Sequence, residues 1–303
     1  MISQLPAREL SRRLEGPGLA FRTGPFSYRV HSDIESVAAG ISLLYPDYPL
    51  VPDGDFCDFD LALSRPAGLR KHLKPQVRFV FDGTSTFEPL PVAQAFPMLE
   101  WGMNWCISTH VNRFLLIHAA VIERDGRALI LPAPPGSGKS TLCAGLVHRG
   151  WRLMSDEVTM IPFDGSGVGA LGRPVSLKNA SIDVIGRFEP SAVFNVPTPH
   201  TAKGTVTHMK VPPGQLERLG QPAQPAWVVF PRWQAGAPAQ LTAKPKSDTL
   251  VDLARNSFNY GVLGRLGFET MAEVVSQCEC HEFVYSQLDD AVAVFDRLSG
   301  RTA

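Results

Sequence analysis

Early in the chain, apolar side chains fall at every second position in residues 26–30, 58–63 and 76–81. That is the period of a strand with one buried face. Between the first two, Ile34, Val37, Ile41 and Leu44 recur at helical spacing, with Asp33 as the expected N-cap and Pro46 as the stop. Residues 94–110 carry Phe96, Leu99, Trp101, Met103, Trp105 and Ile107, a density that predicts a mostly buried helix. Residues 114–122 form a nearly unbroken apolar run that predicts one strand, and Asp125-Gly126 turns it into a second, Ala128-Leu129-Ile130-Leu131. A helix-like run follows at 142–148, closed by His148-Arg149-Gly150, and strands are expected at 151–154 and 158–161. Beyond a glycine-rich turn, residues 173–178 read as extended, and Asn179 or Ser181 opens a short helix through Ile185. Residues 189–204 are proline-rich and aperiodic, which predicts a surface loop. Strands at 205–209, 226–230 and 282–285 and helices at 248–260 and 288–298 complete the pattern. The sum is an α/β protein: an N-terminal α/β domain over residues 1–105, then a second domain over 106–303 with a strand–helix tail.

Composition narrows the class. The 303 residues are 44% hydrophobic and 19% charged, as in globular proteins, and 29 basic residues balance 29 acidic ones. No basic footprint for nucleic acid is visible. No apolar run reaches the length of a membrane span, and the N-terminus lacks a basic stretch followed by an apolar one. The five cysteines follow no framework spacing, so reduced thiols and a cytoplasmic location are expected. Asp53, Asp55, Asp58 and Asp60 lack the ligand order of a calcium loop and read as a solvated turn.

The chemistry centres on Ala-Pro-Pro-Gly-Ser-Gly-Lys-Ser-Thr at residues 133–141. A strand, a glycine-bearing turn ending in Lys-Ser, then a helix is the layout of a phosphate-binding loop. Turn N–H groups and the helix N-terminus point at a polyphosphate, which makes Pro135, Gly136, Ser137, Gly138, Lys139, Ser140 and Thr141 the candidate contacts for ATP. Lys139 is placed to reach the outer phosphates and Ser140 to ligate Mg²⁺. The usual opening Gly is Ala133 here. Asp156-Glu157 ends the next strand, where a Mg²⁺-holding carboxylate belongs in this architecture. Two adjacent acids allow one to hold the metal and the other to accept a proton. His118 lies in the strand before the loop. A lone His there reads first as a core residue, but the hairpin brings it toward the loop, where it can tune a carboxylate.

These features together resemble the catalytic core of the HPr kinase/phosphorylase superfamily, most closely the HPr kinase-related kinases of the HPr-related kinase A type. The likeness is carried by a His 21 positions before the loop Lys, a Gly-x-Gly-Lys-Ser turn, a helix ending Arg-Gly, and a strand ending in two acids, the second 18 positions after that Lys. Weaker likeness runs through residues 181–184, 205–209 and 217–220, so it spans roughly residues 115–260. The resemblance implies a mixed-sheet P-loop kinase domain, similar to the phosphoenolpyruvate carboxykinase type, and assembly into oligomers. It implies Lys139 on the phosphates, Ser140 on Mg²⁺, Glu157 in place of the family's proton-accepting Asp, Asp156 as the preceding acid, and His118 assisting the base. The chain departs from the family where a second metal-ligating Glu is expected: Val175-Ser176-Leu177-Lys178-Asn179 contains no acid, and Lys178 replaces an Arg. The family's Pro-Gly-Arg-Asn turn is Pro245-Lys246-Ser247-Asp248 here. Both departures disfavour the reverse, dephosphorylating reaction. Arg232 and Lys203 are candidates for the missing positive charge.

The expected function is thus an ATP- and Mg²⁺-dependent kinase acting on a hydroxyl of a small protein, peptide or small molecule. The alternative is a P-loop ATPase or nucleotide-gated binding module with no acceptor.

Overall fold

A computed structural model describes residues 1–66 and 74–300. The chain divides into two compact units, residues 1–107 with 193–210, and residues 108–192 with 211–303. The stretch 193–210 therefore sits with the first unit, although it lies inside the span 106–303.

The first unit is built on a sheet in the order Leu19–Thr23, Phe26–Ser32, Phe59–Ser64, Gln76–Phe81, Thr84–Ser85, with Leu90–Pro91 also on Gln76–Phe81. Its one parallel pair, Phe26–Ser32 with Phe59–Ser64, is separated in sequence by the helix Glu35–Leu44. That helix is entered from Ile34 rather than capped by Asp33, and the Ile34 N–H is taken by the Ser32 hydroxyl at 3.1 Å. The buried helix Ala95–His110 presses Phe96 onto Gly40, where even a methyl group would meet the ring at 2.2 Å. Residues 189–204 are not the plain loop the sequence predicts. Thr198–Thr201 pairs with Gly204–Met209, and the hairpin is held in the first unit by Gln94 Nε2 donating to the His200 carbonyl at 2.9 Å and by Lys210 on Asp47. Proline and low periodicity hid a short strand that pairs at only a few positions. Three of the four early aspartates meet side chains of the first unit: Asp58 accepts from Ser27, Asp53 pairs with Arg13, and Asp60 lies beside His31.

The second unit carries a mixed six-stranded sheet in the order Arg152–Ser155, Ala119–Arg124, Arg127–Pro132, Gln224–Trp233, Glu279–Tyr285, Gln240–Ala243. The three strands Arg127–Pro132, Gln224–Trp233 and Glu279–Tyr285 run parallel, and the remaining pairs are antiparallel. One face packs Ala119, Val121, Ala128, Ile130 and Val228 against Leu253, Met271 and Val274 of the helices Lys246–Arg255 and Arg265–Gln277. On the other face, Trp151 meets Trp227 and Phe295 edge-on, Phe283 meets Phe295 edge-on, and Leu288 abuts Gly145. With both faces covered, such strands lose the alternation of half-buried ones, which is why residues 119–122 are continuously apolar. The helix Arg265–Gln277 escapes the sequence pattern because Gly261, Gly264 and Gly267 punctuate its start and Leu266 and Phe268 are exposed on it. Among the described residues no helix is long and apolar enough to cross a membrane. All five cysteines are free.

The outer strand pair is tied by a buried charge network. Glu123 is 1% exposed and faces Arg152, whose Nε donates to it at 2.5 Å; Arg218 stands at 3.3 Å and the Gly126 N–H donates at 2.6 Å. Burial pushes the Glu123 carboxyl up, but these partners outweigh it and hold it below the usual range. Glu123→Gln is expected to cost about 3 kcal/mol of stability, because it leaves the Arg152 guanidinium buried beside a neutral group. The check is urea unfolding, with an unchanged slope. A lowered carboxyl stabilises the fold above its ordinary range and loses that contribution as pH falls through the folded-state value. The deficit of the variant should therefore shrink in acid.

Candidate active site

The strand Arg127–Pro132 runs into the loop, and the helix Lys139–Val147 leaves it. Gly136 and Gly138 hold φ of 85° and 87°, a backbone region that glycine enters without strain. Ala133 takes no positive φ and is buried at 1% exposure, so its methyl group is accommodated in the core where the usual pattern has glycine. The loop is also clamped from outside. The Tyr285 hydroxyl donates to the Gly138 carbonyl at 2.9 Å, and the Trp233 N–H donates to the Ser137 carbonyl at 2.8 Å. A side chain at Gly138 would meet Tyr285 Oη at 2.6 Å and Trp233 Cβ at 2.9 Å, so both conformation and space demand glycine there. Tyr285 and Trp233 are contacts of the loop that local sequence does not reveal. They lie on two neighbouring parallel strands that become adjacent to the loop only when the sheet forms.

Lys139 is buried at 8% exposure, and its ammonium donates to the Asp156 backbone carbonyl at 2.7 Å. Asp156 Oδ2 accepts from the Ser140 hydroxyl at 3.2 Å and from the Ser176 N–H at 3.1 Å. The other oxygen, Oδ1, is buried with no hydrogen-bond partner, as is the Ser176 hydroxyl. Burial raises the Asp156 carboxyl above its ordinary range; Lys139 opposes this, the Glu157 charge adds to it, and Lys178 and Ser140 oppose it again. A buried carboxylate with an idle oxygen, bonded through the other to a hydroxyl at the helix start, fits a hard divalent cation. Ser140 and Asp156 are the residues able to hold Mg²⁺.

Glu157 is partly buried, and Lys178 Nζ lies 3.5 Å from its Oε1. The strand Val175–Lys178 thus serves both acids, through Ser176 to Asp156 and, two residues on, through Lys178 to Glu157.

His118 does not lie within a single strand. The run is broken there into Leu115–Ile117, paired with Thr159–Ile161, and Ala119–Arg124, paired with Arg152–Ser155. Its N–H leaves the ladder for the Asn256 carbonyl at 2.7 Å. The registers Ile117↔Thr159 and Val121↔Ser155 bracket two irregular stretches, so residues 118–120 lie opposite 156–158. Continuing those registers sets His118 opposite Val158, one position from Glu157, with its ring against Phe258 at 5.6 Å. The loop residues Pro135, Gly136, Ser137, Gly138, Lys139, Ser140 and Thr141 stand on the same side of the fold as Asp156, to which Lys139 and Ser140 are bonded. Arg232 is exposed next to Trp233 at the strand end, whereas Lys203 belongs to the first unit, with its ammonium over Trp101.

The family model of the SynChlorMet cassette protein ScmC matches residues 95–169, a span that contains His118, the loop, Asp156 and Glu157. No curated protein matches the chain. Among solved structures, the chain is similar to the Hpr(Ser) kinase/phosphatase from Coxiella burnetii at 10% identity, over 61% of this chain and 97% of that one, with a TM-score of 0.24. A TM-score of that size bears on neither the fold nor the activity of this chain.

Proposed function

We propose that the second unit is an ATP- and Mg²⁺-dependent kinase that transfers the γ-phosphoryl group to a hydroxyl of a protein, peptide or small molecule. The observation that carries this reading is the joining of Lys139, Ser140 and Asp156 at the start of the loop helix, with one oxygen of Asp156 buried and idle. On this reading the loop N–H groups and the helix N-terminus bind the β- and γ-phosphates. Lys139 exchanges the Asp156 carbonyl for a phosphate oxygen. Mg²⁺, when bound by Ser140 and Asp156, neutralises charge on the phosphates. Glu157 takes the proton of the acceptor hydroxyl as that oxygen bonds to the γ-phosphorus and the bridge to the β-phosphate breaks, leaving ADP. Lys178 restrains the Glu157 carboxylate, and His118, one register position away, assists it. Five free thiols support a cytoplasmic setting.

The test is incubation of the full chain with γ-labelled ATP, Mg²⁺ and fractionated cell extract. Label is expected to appear on an acceptor as an acid-stable phosphoester. Release of inorganic phosphate alone, with every fraction unlabelled, would favour a P-loop ATPase and overturn the kinase reading.

A further inference from the structure

A bound nucleotide has a base as well as phosphates, and the sheet around the loop is asymmetric in a way that gives the base a place. On one side of the loop strand lies Ala119–Arg124, with Ala119 paired to Pro132, and beyond it Arg152–Ser155, which leads into Asp156 and Glu157. On the other side lies Gln224–Trp233, parallel to the loop strand with Val228 opposite Ile130. It continues five residues past that pairing, which carries Trp233 to the level of the loop. Phosphoryl transfer is in line, so a γ-phosphate facing the acids directs the rest of the nucleotide away from them. The opening at the carboxyl ends of parallel strands is also where ligands settle in such sheets.

Trp233 is the one strongly exposed tryptophan of the five, at 51%. It is nevertheless fixed at three points: its backbone N–H to the Ser137 carbonyl at 2.8 Å, its indole Nε1 to the Ser286 carbonyl at 3.1 Å, and the next residue, Gln234, by its N–H to the Tyr285 carbonyl at 2.9 Å. A large ring left in water and held rigid by its polar edge is pre-organised to cover another flat ring. From this we infer that Trp233 is the platform on which the nucleobase stacks. The inference rests on the nucleotide reading of the loop and adds the residue that recognises the base. Stacking tolerates any base, so the platform favours nucleotides over bare polyphosphate without choosing strongly among purines.

Calorimetric titration of the full chain with Mg-ATP and with Mg-tripolyphosphate tests this. The wild type is expected to bind ATP about tenfold to a hundredfold more tightly than tripolyphosphate. Trp233→Ala should remove most of that difference by weakening ATP alone, and Trp233→Phe should restore most of it. ATP should quench tryptophan fluorescence in the wild type and quench it much less in Trp233→Phe. Equal weakening of both ligands in Trp233→Ala would show that Trp233 only props the loop, and unchanged ATP binding would remove it from the site. Either result overturns the platform and leaves the phosphate loop standing. A wild type that binds neither ligand would overturn the nucleotide reading, and the platform with it.

Discussion

Lys139→Met is expected to lower phosphoryl transfer by about a hundred- to a thousandfold, the usual loss when one preorganised positive group is removed from a water-poor transfer site. Methionine keeps most of the volume of the lysine stem, so no large cavity opens in a side chain that is 8% exposed. What is lost is the charge and the donor now held by the Asp156 carbonyl at 2.7 Å. Steady-state rates, with a thermal melt to show that the fold persists, measure the effect. Transfer within a few-fold of the wild type would remove Lys139 from the site.

What could be read from the sequence was what is local. The loop, its strand and its helix are contiguous, and their glycines, lysine and serine are defined by a turn that closes over nine residues, 133–141. Asp156-Glu157 stood out because acids at the end of an apolar strand are conspicuous, and the Asp125-Gly126 hairpin because both residues adopt positive φ. The rest depended on strand order and register. Tyr285 and Trp233 reach the loop across about 150 and 95 residues of chain through a parallel pairing that no periodicity announces. The break at His118 was invisible because an irregular residue flanked by buried strands is as apolar in its surroundings as the strands are. In the sequence Lys178 reads only as the replacement for an Arg, and its ion pair with Glu157 is a matter of which face of Val175–Lys178 meets the acids. The placement of residues 193–210 in the first unit is likewise a long-range fact, since its hairpin is held there by Gln94 and Asp47.

Glu157→Gln is expected to stop transfer while sparing nucleotide. The amide has nearly the shape of the carboxylate but cannot take a proton from an acceptor hydroxyl, and loss of a positioned base costs about a hundred- to ten-thousandfold. Affinity for ATP should hold, because the phosphate contacts belong to the loop, Lys139 and Ser140. Stability should change by less than about 1 kcal/mol, since the Lys178 pair is partly solvated. A Glu157 that instead ligates the metal would give a different result, a variant that loses transfer and most of its Mg²⁺ affinity together. Single-turnover transfer from labelled ATP across a Mg²⁺ series decides between them, and a variant that still transfers at the wild-type rate would leave the proton of the acceptor to another group.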